Sequence, residues 1–130
     1  MPGSGRTISW GTLGSIEAAG AAFNVAHLLG TMGHWEEARE LWVEVTAWFE
    51  RFRGPTAANT LAAQSDLAGA MERTGQVLEA GVLYEEVLAK EIEEIGPESE
   101  AVLTTRHNLA GLLIEELEDY DAALEIQEEV

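Results

Sequence analysis

The side chains in this 130-residue chain suited to proton transfer or metal ligation are three histidines, His27, His34 and His107, and 24 Asp and Glu residues. Their spacing argues against both chemistries. No two histidines show the His-Glu-x-x-His interval that sets two imidazoles on one helix face beside a general base. Asp119 and Asp121 in "EDYD" pair two carboxylates, but Asp119 stands where a cap for the last helix is needed. The chain has no cysteine, which removes thiolate nucleophiles, thiolate metal sites and disulfides. It has no glycine-rich phosphate loop and no nucleophile elbow. The expectation is a non-catalytic protein without metal or cofactor.

A different chemistry is suggested by "RHNLAGLL", residues 106–113, which sets Asn108 directly ahead of an apolar run. An amide in that place is solvated, satisfied by neighbours, or kept for a ligand. Asn108 is not alone. Stepping back 42 residues reaches Asp66 in "DLA", and 42 more reaches Asn24 in "NVA". The same interval relates Gly54-Pro55 to Gly96-Pro97, Gly33 to Gly75, and Ala38 to Ala80. Three copies are in phase, with a one-residue insertion before Tyr120 in the third.

Each copy reads as two helices joined by a short turn. Pro55 and Pro97 suit a first helical turn, and the glycine before each suits the left-handed end of the preceding helix. Apolar residues then recur at helical spacing, as Leu61, Leu67, Ala68 and Met71, or Leu103, Leu109, Ala110 and Leu113. Turns at 31–34 and 74–76 lead into second helices carrying Ala38, Leu41, Trp42 and Val45, or Ala80, Leu83, Tyr84 and Val87. The expected fold is all-α, a right-handed α-solenoid of three antiparallel helix hairpins. Residues 1–12 read as a flexible leader. Residues 13–130 read as the repeat domain, with copies at about 13–53, 54–95 and 96–130.

The order Asn-Leu-Ala, then Gly-x-aromatic-x-Glu-Ala, an apolar second helix and Gly-Pro resembles the 42-residue tetratricopeptide repeat. That form is found in kinesin light chains and in repeat arms of bacterial and fungal signal-transducing ATPases. The resemblance covers roughly residues 13 to 130. It departs at Asp66 for the usual Asn, at Val77 for the usual aromatic, at the missing Gly-Pro of copy one, and at the missing turn glycine of copy three. The resemblance implies that first helices line a concave surface, and that the asparagine there hydrogen-bonds the main chain of an extended peptide. Asp66, which when ionised can only accept, favours a peptide N–H or a basic side chain. The competing role for the ladder is to bond adjacent helices and hold the repeats in register.

Positions one before, three after and six after each rung share its face. They add Phe23, His27 and Gly30, then Ser65, Gly69 and Glu72, then His107, Gly111 and Ile114. The candidate peptide-binding residues are therefore Asn24, Asp66, Asn108, Phe23, His27, Ser65, Arg73, His107 and Ile114. Gly69 and Gly111 are unusual inside helices, and imply close helix packing or a nearby ligand backbone. Arg73 and Arg106 each meet a partner carboxylate or answer one of the neighbouring Glu residues.

A formal charge of −17 repels phosphate backbones and anionic lipid, so neither nucleic acid nor a membrane is an expected partner. A basic protein segment is attracted. The most apolar stretch, "AAGAAFNVAHLLG", is interrupted by Asn24 and His27 and is too short for a bilayer span of about 20 residues. A cytoplasmic setting is expected. Apolar residues near both ends of the array leave surface to be sealed, so the expectation includes homodimerisation through terminal hairpins or membership of a longer array.

Overall fold

The computed structural model describes residues 14–115, 122 and 125–127. Five helices follow one another, α1 (Ile16–Thr31), α2 (Trp35–Arg53), α3 (Ala58–Arg73), α4 (Val77–Glu94) and α5 (Glu100–Glu115), and residues 122 and 125–127 are also helical. No strand occurs among the described residues. Each helix packs on its neighbour in sequence, and α3 also meets α5, so consecutive pairs stack as expected. The leader, Asp119 and the apolar end at Ala123, Leu124 and Val130 lie outside the described residues.

Local chemistry explains where the helices start and stop. Ser15 caps α1 by accepting from the Ala18 N–H at 3.1 Å. The two hairpin turns are the same object built twice. After α1, the His34 N–H donates to the Leu29 carbonyl and the Gly33 N–H to that of Gly30; after α3, Gln76 donates to Met71 and Gly75 to Glu72. This double closure needs a left-handed residue, and Gly33 and Gly75 supply it at φ 85° and 94°.

Proline plays a different part from the one its spacing suggests. Pro55 and Pro97 do not open helices. Each occupies the second position of a β-turn, closed by Ala57 N–H on the Gly54 carbonyl at 3.4 Å and by Ser99 N–H on that of Gly96 at 3.3 Å. The helices begin three residues later, at Ala58 and Glu100. Fixed proline φ and an obligatory left-handed glycine (Gly54 at 99°, Gly96 at 119°) make this a stiff corner between repeats.

Ala26, Ala38, Ala68, Ala80 and Ala110 are all buried, which lets the helix axes approach closely. One cluster joins α1, α2 and α3 through Leu41, Trp42, Val45 and Phe49; a second joins α4 and α5 with Ala68 through Tyr84, Leu88, Val102, Leu109 and Leu112. Polar ties stitch successive repeats. Gln64 donates to Glu50 at 2.7 Å, and Thr105 donates to Glu91 at 2.7 Å, fourteen residues apart in both cases.

Expectations about packing are corrected at Leu103 and Arg106. Leu103 is exposed, because its side of α5 faces away from α4 and solvent covers it. Val25 is also exposed, together with Leu28 and Met32, since no described helix covers that face of α1, whereas α2 covers the equivalent Leu67 and Ala70. Arg106 answers no described glutamate and does not reach the concave face. It is 3% exposed, and its Nε and Nη1 have no hydrogen-bond partner among the described residues.

Candidate functional site: the concave groove

First helices set one face toward a cavity of about 630 Å³ that runs from α1 to α5. His27, Ser65, Asp66, Arg73, His107 and Asn108 line it, as do Gly30, Gly69, Glu72 and Gly111. The three other candidates do not. Asn24 is exposed and outside the lining. Phe23 turns inward and meets Trp42 edge-on at 4.9 Å and Phe49 at 6.4 Å, so it belongs with the core. Ile114 is exposed beyond the rim, and Glu115 lines the cavity instead. A rotation of about 100° per residue explains the exchange, because a neighbouring position is enough to cross from lining to rim.

Sequence periodicity missed the floor. Trp35, Trp42 and Tyr84 also line the cavity, although they begin or lie within second helices and are mostly buried. Their signal was present, since Trp42 and Tyr84 are 42 residues apart, but the same spacing serves a packing role. Both roles are filled at once, since Trp42 and Tyr84 belong to the core clusters and also line the groove.

The middle rung is tied to the neighbouring repeat. His27 Nε2 on α1 lies 3.3 Å from Asp66 Oδ2 on α3, and the imidazole is also set edge-on to Trp42 at 5.1 Å. Burial pushes the Asp66 carboxyl above its usual range, and the charge and hydrogen bond of His27 offset part of that rise. Burial also pushes up the Tyr84 phenol, and the carboxylates of Glu72 and Asp66 push it further while Arg73 opposes them. Arg73 finds an aromatic partner: its guanidinium lies 5.4 Å from the centre of the Trp35 ring.

The glycines separate into distinct cases. A Cβ on Gly30 would fall 2.9 Å from Trp35, so that helix approach excludes a side chain. At Gly69 it would meet only the Tyr84 hydroxyl, at 3.4 Å, and at Gly111 it would meet nothing within 4 Å. Gly111 therefore leaves open space. Among the described residues no group of three or more His, Asp or Glu side chains is placed to hold a metal ion, and no helix is long and apolar enough to cross a membrane.

Comparison with known proteins agrees with this architecture. The tetratricopeptide repeat family model matches residues 17–90 and 59–130. The crystal structure of a Podosopora anserina putative kinesin light chain with nearly identical TPR-like repeats is similar, at TM-score 0.72 and 26% identity, over 95% of this chain and 56% of that one. A single-substitution variant of that protein is similar at TM-score 0.74 and 26% identity, again over 95% of this chain and 56% of that one. The chain thus spans little more than half the length of those structures. No curated protein matches it. Tetratricopeptide repeats are in general non-catalytic scaffolds for protein–protein interaction. With two overlapping matches to the family model spanning 17–130 and repeat turns that coincide in structure, the chain belongs to the tetratricopeptide repeat family.

Proposed function

We propose that this chain is a cytoplasmic adaptor or scaffold module that binds an extended, basic segment of a partner protein along the concave groove, without catalysis. The observation that carries this reading is the cavity, which collects six of the nine candidate residues from three successive repeats into one continuous lining. Asn108 offers both a donor and an acceptor to a peptide main chain, and Ser65 and His107 add hydrogen-bonding groups beside it. The net charge of −17 favours a basic segment and makes binding weaken with salt. Residues 13–130 form the repeat domain in this reading.

Selection from a random eleven-residue peptide library tests it. Selected peptides are expected to lose roughly tenfold in affinity for the Ser65→Ala, Asn108→Ala double variant, about 1.4 kcal/mol, with the melting temperature unchanged. Equal affinity for the variant and the parent protein would sink the groove reading.

Self-association is a second reading, and one observation favours it. Val25 and Leu28 on α1 and Met32 at its C-cap form an exposed apolar stripe at i, i+3 and i+7, and the α3 positions equivalent to the first two, Leu67 and Ala70, pack on α2. If that stripe seals against a second copy, sedimentation velocity gives a dimer that dissociates on Leu28→Glu. A monomer at high protein concentration excludes it.

A further inference from the structure

Two of the acids in the groove lie along one stripe of α3. On α3, Asp66, Gly69 and Glu72 succeed one another at i, i+3 and i+6, and all three line the cavity. Gly69 leaves a gap between the two carboxylates. A Cβ there would lie 3.4 Å from the Tyr84 hydroxyl, so the gap opens onto that phenol oxygen on α4. The electrostatics agree with the geometry, since Glu72 and Asp66 are the two charges that, after burial, push the Tyr84 phenol up. Three oxygen-bearing groups from two helices border one notch.

We propose that this notch seats the ammonium group of a lysine side chain on the bound segment, an inference that rests on the groove reading above. An ammonium is a compact head with three N–H donors, which matches two carboxylates and one phenol oxygen. Its methylene stem crosses Gly69, where no side chain obstructs it. Among the described residues, two cations lie near the notch. Arg73 is held over Trp35 at 5.4 Å, and His27 approaches the Oδ2 side of Asp66, at 3.3 Å. The other repeats lack the arrangement. Copy one has Asn24, His27 and Gly30 at the equivalent positions, with no glycine in the middle, and copy three has Asn108, Gly111 and Ile114, with no carboxylate on either side of its glycine.

Three labelled eleven-residue libraries with random flanks and a fixed central lysine, norleucine or glutamate test the seat by fluorescence anisotropy. The lysine library is expected to bind about tenfold or more tightly than the norleucine library, as for a charge-assisted hydrogen-bonded group. Gly69→Ala fills the notch with the better helix former, so the fold is retained while the preference for lysine disappears. Asp66→Asn is expected to reduce the same preference. Gly111→Ala, the equivalent change in copy three, leaves the preference intact. Equal binding of the lysine and norleucine libraries to the parent protein, or a lysine preference that survives Gly69→Ala, overturns the seat while the groove reading stands. Binding by none of the three libraries overturns the groove reading and the seat with it.

Discussion

Trp42→Ala is expected to lower the unfolding free energy by about 3–5 kcal/mol, the range for removing a large aromatic ring from a packed core. Trp42 is 2% exposed and holds three layers together. Phe23 of α1 meets it edge-on at 4.9 Å, His27 meets it at 5.1 Å, and Ala63 and Ala70 of α3 belong to the same cluster. The measurement is equilibrium denaturation in urea, with Trp42→Phe as a control expected to retain the edge-on contact with Phe23 and lose much less. A loss below about 1 kcal/mol for the alanine variant would show that the ring is not central to packing. Because Trp42 also lines the groove, Trp42→Ala removes part of the floor, and stability and binding should fall together.

That double duty marks the limit of what the sequence made legible. Small residues were readable: the alanines at 26, 38, 68, 80 and 110 are all buried, and the turn glycines at 33 and 75 are both left-handed. Periodicity assigns a residue to a side of its own helix. It does not give the rotation of the helix against its neighbours, and that rotation decides whether Phe23 faces the groove or the core and whether Glu115 or Ile114 lines the wall. Arg106 shows the same limit. A cation one position before a groove residue reads as accessible, yet the equivalent positions are the buried Gln64 and Ala22, and Arg106 follows them inward. Pro55 and Pro97 marked the corner between repeats correctly and misplaced the helix start by a turn, because proline suits both a first helical turn and the second position of a β-turn.

Acidification from pH 7.5 to pH 5 is expected to raise the melting temperature, against the usual course for a protein rich in carboxylates. Glu91 is 3% exposed, and burial pushes its carboxyl up, offset in part by the hydrogen bond donated by Thr105 at 2.7 Å. Asp66 is raised by burial despite His27, and Glu44 by burial and then by Glu40. A carboxyl raised on folding is protonated more readily in the folded chain than in the unfolded one. Between the unfolded value near 4 and the folded one, the native state therefore holds more protons, and stability falls as pH rises. The contribution is fully present below the unfolded value and is lost as pH climbs through the folded one. Partial discharge of a chain at −17 acts in the same direction by easing self-repulsion. A rise of about 4 °C corresponds to roughly 1 kcal/mol in a domain of this size. Glu91→Gln separates the local effect from the global one, because glutamine still accepts from Thr105 but carries no charge. This variant should melt higher than the parent at pH 7.5, with the difference closing toward pH 5. A melting temperature that falls steadily from pH 7.5 to pH 5 would mean that carboxylates stabilised in the folded state outweigh the buried ones. A parallel pH profile for Glu91→Gln would move the effect from Glu91 to Asp66, Glu44 and the overall charge.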